Sequence, residues 1–254
     1  MTAGEAKVAL VTGSAIGIGA AIAEQLARDG MTVLVSDLNE AEAGHTAARF
    51  REQGLAAEPL QLDVSDPTSI AAAFAVVKDR FGRCDVVVNN AGIAKTFPFL
   101  DFPLENFAAT MAVNVTGTLL CAQHAARLMV PRGWGRIINI ASVAGMRSVG
   151  RGRTAYGTSK AAVIGLTRQI ASELAEAGIT ANAVAPGPVD TPMTEALHSP
   201  EFRGTYTAAV PMKRYGKPSE IGDIVSFLAS DRSAYITGAV IPVDGGFMGA
   251  GALD

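Results

Sequence analysis

Short runs rich in Val, Ile and Leu recur along the chain and are separated by longer stretches with helical spacing of apolar positions. The pattern predicts strands over Val8–Val11, Thr32–Ser36, Glu58–Leu62, Asp85–Asn89, Arg136–Ile140, Thr180–Val184 and Val240–Val243. Between them it predicts helices over Gly17–Asp29, Glu40–Gln53, from Asp66-Pro67 to Phe81-Gly82, Leu104–Met129, Tyr156–Ala177 and Ser219–Ser230. The strands are mostly continuous apolar runs rather than alternating ones, as a parallel sheet covered on both faces requires. Strand–helix alternation with right-handed crossovers then predicts an α/β fold. It is a doubly wound, Rossmann-like, seven-stranded parallel sheet in one domain spanning residues 1–254. Residues Pro186 to Lys217 carry five prolines and read as one long irregular stretch, a substrate lid around residues 188–212.

Composition narrows the function. The 254 residues carry 24 acidic and 21 basic side chains, a formal charge of -3. No basic surplus speaks for a nucleic-acid partner, and no apolar run reaches the roughly 18–20 residues of a membrane span. Met1 to Lys7 leads into the first strand without a secretory leader pattern, so the expected address is cytoplasmic. Cys84 and Cys121 stand apart in apolar runs and read as small buried side chains. His45, His124 and His198 are scattered, with no metal-ligand or triad spacing.

The first strand runs into Thr12-Gly13-Ser14-Ala15-Ile16-Gly17-Ile18-Gly19 and then an Ala-rich helix. Glycines there let the backbone approach a pyrophosphate, and the helix N-terminus offers it free N–H groups. Asp37 ends the second strand, placed to accept hydrogen bonds from ribose hydroxyls and to repel a 2′-phosphate. The loop has no Arg or Lys to offset such a phosphate, so NAD is expected over NADP. Asp63-Val64 and Asn89-Asn90-Ala91-Gly92 close the next two strands and converge on the same crevice, with Asn89 placed to brace the loop.

Tyr156 and Lys160 are four apart, on one face of a helix. A free tyrosine has a pKa near 10 and is a poor base at neutral pH, but a nearby ammonium favours the phenolate. Ser142 follows the fifth strand, and Asn114 interrupts an apolar helical stretch. A buried amide there needs partners or costs about 1–3 kcal/mol.

In these motifs the sequence resembles the short-chain dehydrogenase/reductase family, in its single-domain branch of about 250 residues. The matching positions are the glycine loop, Asp63, Asn89-Asn90-Ala91-Gly92, Asn114, Ser142, Tyr156-x-x-x-Lys160, and Pro186-Gly187 with Thr191. The resemblance implies that Tyr156 is the general acid/base, that Lys160 holds the nicotinamide ribose and lowers the tyrosine pKa, and that Ser142 donates to the substrate oxygen. Asn114 would hold a relay water. Nucleotide contacts would come from Gly13, Ile16, Gly17, Ile18, Gly19, Asp37, Asp63, Val64, Asn90, Ala91, Gly92, Tyr156, Lys160, Pro186, Gly187, Val189 and Thr191. The implied function is an NAD-dependent oxidoreductase that interconverts a secondary alcohol (a polyol, sugar, sugar acid or similar) and its ketone. The alternatives are an NADP-dependent ketone reductase and a silent NAD-binding scaffold. Enoyl reductases in related branches space their Tyr and Lys differently, and epimerases tend to be longer.

Substrate contacts are expected from residues 93–99, 143–154 and 188–210. Arg147, Arg151 and Arg153 are candidates to bind an anionic substrate or are simply solvated, whereas Phe97, Phe99, Met146 and Met193 would suit an apolar one. Gly157, Ala161, Ala162 and Gly165 either pack on the sheet or, as the resemblance implies, pair helices between subunits of a homotetramer.

Overall fold

A computed structural model describes residues 6–250. Seven strands form one parallel sheet: β1 (Val8–Thr12), β2 (Thr32–Asp37), β3 (Ala57–Gln61), β4 (Val86–Asn89), β5 (Gly135–Ile140), β6 (Ile179–Pro186) and β7 (Val240–Val243). Their spatial order is β3-β2-β1-β4-β5-β6-β7. The chain builds outward from β1 to β3, then returns to the other side of β1 and builds outward again. β1 and β4 therefore flank the switch point, where two successive crossovers leave in opposite directions and open a crevice at the carboxyl ends.

Period two along each strand sends its side chains to two different layers. Ala9 and Val11 of β1 pack under α1 (Gly17–Arg28), α2 (Glu40–Glu52) and α9 (Pro218–Ala229), with Ile22, Leu26, Phe50, Val225 and Leu228. Val8 and Leu10 face α3 (Pro67–Phe81) and α5 (Thr118–Met129), with Ile70, Phe74, Val77, Met129 and both buried cysteines. α6 (Thr154–Leu174) covers the same face beside them. The edge strands β3 and β7 each hold a proline, Pro59 and Pro242. Proline cannot complete an interior ladder, and at an edge it discourages pairing with another chain.

Two expectations meet a different structure. The long helix over Leu104–Met129 divides into α4 (Leu104–Met111), a π-helical segment Ala112–Gly117, and α5. Gly117 sits where a Cβ would lie 2.5 Å from the Val64 carbonyl, so the widened turn is fitted against the end of β3. The stretch from Pro186 to Lys217 is not irregular throughout: it contains α7 (Pro192–Leu197) and α8 (Pro200–Ala209). Their prolines stand in the first turn behind Thr191 and Ser199 as caps, where the missing N–H costs no helical bond. Among the described residues no helix is long and apolar enough to cross a membrane.

Candidate functional site

A cleft of about 460 Å³ opens at the switch point. Its floor is the glycine loop. Gly13 has φ +61°, and a Cβ on Gly19 would meet the Gly13 carbonyl at 2.2 Å. The loop is thus closed so tightly that only glycine fits. Ile16 precedes α1 and supplies no side-chain cap, so the helix presents its free N–H groups towards the cleft. That cradle suits the pyrophosphate of a dinucleotide. Asn90, rather than Asn89, braces it. Its Nδ2 donates to the carbonyls of Thr12 (3.0 Å) and Gly13 (2.8 Å), and Thr12 Oγ1 accepts from the backbone of Asn90 and Ala91. Asn89 points to the neighbouring strand and donates to Asn139 Oδ1 at 2.8 Å. Asp37 reaches the rim, where Oδ2 accepts from Ala15 N at 3.2 Å and Oδ1 from Asn39 N. Asp63 Oδ1 is held by Ser65, through both its backbone and its hydroxyl.

The reactive wall stands opposite. Ser142 leaves β5 and accepts from Ala144 N at 3.1 Å. Tyr156 and Lys160 extend from the first turns of α6 into the same cleft. Lys160 is buried at 5% exposure; its Nζ lies 5.7 Å from the Tyr156 ring centre and donates to the Ile140 carbonyl at 2.7 Å. Burial pulls the Lys160 pKa down to about 8. Burial also raises the Tyr156 phenol above its ordinary value, while a hydrogen bond from Ser142 and the charge of Arg153 pull the other way. Lys160 Nζ gives one of its three N–H donors to Ile140, and the groups that favour the phenolate of Tyr156 in this arrangement are Ser142 and Arg153. Asn114 lies in the π-helical segment, and its amide is fully engaged. Oδ1 accepts from Ile93 N at 2.9 Å, and Nδ2 donates to Ile93 O and to Ser159 Oγ. Ser159 in turn donates to the Tyr156 carbonyl. Asn114 therefore ties the loop after β4 to the helix that carries Tyr156.

The remaining wall comes from the strand β6 exit. Pro186, Gly187, Val189 and Thr191 all line the cleft. A family model described as enoyl-(acyl carrier protein) reductase matches residues 13–248. The chain belongs to the short-chain dehydrogenase/reductase family. A 3-oxoacyl-(acyl-carrier-protein) reductase of Aquifex aeolicus is 40% identical over 95% of this chain and 97% of its own. A cis-4-hydroxycyclohexanecarboxylate dehydrogenase of Sinomonas cyclohexanicum is 39% identical over 95% of this chain and 96% of its own. Among solved structures, a gluconate 5-dehydrogenase from Burkholderia cenocepacia in complex with NADP and tartrate superposes with TM-score 0.92. It is 36% identical and covers 96% of both chains.

This family member is an oxidoreductase of the NAD(P)-using type, on the family's seven-stranded framework. The three loop arginines part company in it. Arg147 is exposed and stacks 5.1 Å from the Phe247 ring, and Arg151 is exposed. Arg153 is half-buried at the start of the Tyr156 helix, against His198 at the end of α7. Met193 lines the cleft, whereas Phe99 is 76% exposed and faces outwards. His198, which no spacing singles out, is buried against Arg153 and Tyr215. Tyr206 joins the same group of rings. Nothing in the local sequence signals this cluster, because its members come from four separate segments.

Proposed function

We propose that the protein is an NAD-preferring dehydrogenase that interconverts a secondary alcohol and its ketone. The observation that carries this reading is the convergence of Ser142, Tyr156 and Lys160 on the cleft that also holds the glycine cradle and Asp37. The bound nicotinamide supplies or accepts the hydride. Ser142 donates to the substrate oxygen, where charge develops. Tyr156 exchanges a proton with that oxygen as general acid/base. Lys160 holds the nicotinamide ribose, and Asn114 positions the Tyr156 helix against the loop after β4. The residues around Gly13–Gly19, Asp63-Val64 and Asn90–Gly92 hold the adenosine half and pyrophosphate, and Thr191 with the Pro186-Gly187 backbone orients the carboxamide. Asp37 supports NAD over NADP because a carboxylate held at the rim repels a 2′-phosphate. Residues 188–212 close over the substrate.

The alternative, an NADP-dependent ketone reductase, gains support from the relatives named as 3-oxoacyl reductases and from the NADP in the gluconate 5-dehydrogenase structure. Two buried free cysteines fit a cytoplasmic setting. The exposed small residues of α6 support a homotetramer. Tyr156→Phe tests the chemistry. It should lower kcat by about 10²–10⁴-fold and leave NAD affinity within about twofold, read by titrating nucleotide fluorescence. A kcat that survives the change refutes the acid/base role.

A further inference from the structure

His198 closes α7 and is buried. Its Nε2 lies 2.9 Å from Nη2 of Arg153, and its Nδ1 lies 3.1 Å from the Tyr215 hydroxyl. A guanidinium only donates. So Nε2 accepts, the ring proton sits on Nδ1, and Nδ1–H donates to Tyr215. The imidazole is neutral in this arrangement. Burial, with the charges of Arg153 and Arg203, pulls its pKa down to about 4. Phe202, Tyr206 and Tyr215 surround the ring.

Arg153 therefore has unusual company. It stands immediately before α6 as its N-cap residue, three residues ahead of Tyr156 in the chain. Its charge acts on the phenols of both Tyr156 and Tyr206. Its other neighbour is the Phe202 ring, 5.6 Å from Cζ. Among the described residues no carboxylate lies within 4.0 Å of it, although two other arginines of the same region are matched, Arg203 with Asp190 and Arg214 with Glu220. Arg153 spends one donor on a neutral ring, and a guanidinium has five. A partly buried cation without a counter-ion is costly, and a planar fork with free donors is the shape that binds a carboxylate bidentately.

We infer that Arg153 is a specificity-determining residue that binds a carboxylate of the substrate, so that the alcohol worked on at Tyr156 belongs to a hydroxy acid and the ketone to an oxo acid. This rests on the dehydrogenase reading above, which places the reacting carbon at Tyr156. His198 is the positioning group: it fixes the fork through one N–H and, being neutral, does not neutralise it. Arg147 and Arg151 remain surface side chains.

The test is calorimetric binding to NAD-saturated protein. The probes are gluconate against sorbitol, and cis-4-hydroxycyclohexanecarboxylate against its carboxamide. At least one acid should bind tenfold or more tighter than its uncharged partner. Arg153→Gln should erase that difference and Arg153→Lys should keep part of it, with NAD affinity and melting temperature reporting that both variants are folded. Equal binding of acid and uncharged partner by the wild type overturns the inference, as does a difference that survives Arg153→Gln. Turnover of uncharged secondary alcohols with no carboxylate preference would leave the dehydrogenase reading standing and this one fallen. Arg153-dependent acid binding without any turnover would keep Arg153 as a carboxylate site and remove the dehydrogenase reading, and with it the assignment of the acid as a hydroxy acid.

Discussion

Lys160 shows at the scale of one side chain how a site stores cost for use. Its ammonium is buried, and its pKa lies near 8 instead of 10.5. Between about pH 8 and 10.5 the unfolded chain binds a proton that the folded chain does not, so this group makes stability rise with pH through that window. At pH 7 the buried charge costs about 3 kcal/mol at 1.36 kcal/mol per unit. A residue that cannot donate leaves the Ile140 carbonyl without this partner, which costs back about 1 kcal/mol. Lys160→Met should therefore stabilise the protein by about 1–2 kcal/mol at pH 7 while abolishing turnover. The gain should shrink by pH 10, read as the difference in melting temperature between variant and wild type. A variant less stable at both pH values contradicts the stored cost. Asp37 invites a second test. Its carboxylate also holds Ala15 and Asn39, so Asp37→Ala loosens the loop for either nucleotide. The ratio of kcat/KM for NAD over NADP is then the informative readout, and it should fall about tenfold or more, each factor of ten being about 1.4 kcal/mol. An unchanged ratio removes Asp37 as the selector. The positions of Ser142, Tyr156, Lys160 and the glycine loop are legible in the sequence because each follows a strand end or a helical turn. The partners they choose are not: Asn89 and Asn90 are adjacent and chemically identical, and only the close approach of the Thr12–Gly13 carbonyls decides which of them braces the loop.

At the scale of elements, periodicity locates strands and helices well and misses what changes inside them. The π-helical segment keeps the apolar spacing of a long helix, so nothing in the pattern announces the extra residue that turns Asn114 towards Ile93 and Ser159. Prolines after β6 read as breakers, yet each of Pro192 and Pro200 starts a helix behind a hydroxyl cap. Those two short helices are held to the body by His198 through Arg153 and Tyr215. The folded pKa of His198, about 4, lies below its ordinary 6.5. As pH falls from 6.5 towards 4, the detached α7–α8 segment takes up a proton that the packed one refuses, so the latch weakens over that window. The loss is on the order of 1–3 kcal/mol. Amide hydrogen exchange in α7 and α8 should accelerate between pH 7 and pH 5 beyond the intrinsic pH effect, and His198→Gln should flatten the response. Exchange that follows the intrinsic rate alone in the wild type would remove His198 as the latch.

For the whole molecule, alternation and handedness give a doubly wound parallel sheet with its cleft at the carboxyl ends; the order of the strands and what the outer faces meet do not follow from them. Gly157, Ala161, Ala162 and Gly165 are compatible with two arrangements in sequence, packing against the sheet or against another subunit. In the structure Ala161 and Gly165 are exposed, and a Cβ on Gly165 would meet nothing within 4 Å. The residues of α6 that pack inward are instead Val163, Ile164 and Thr167. The exposed small residues Thr158, Ala161 and Gly165, with Arg168 and Gln169 beside them, would admit close approach by a second helix of the same kind, and a two-fold axis through them would make the contact self-complementary. A tetramer needs a second such interface, so the assembly should come apart in steps. Sedimentation at micromolar concentration should give the mass of four subunits for the wild type. Gly165→Arg should place four unmatched cations across the axes and shift the mass to two subunits or one, with each subunit still folded by circular dichroism. A single-subunit wild type would assign the small residues of α6 to no interface at all.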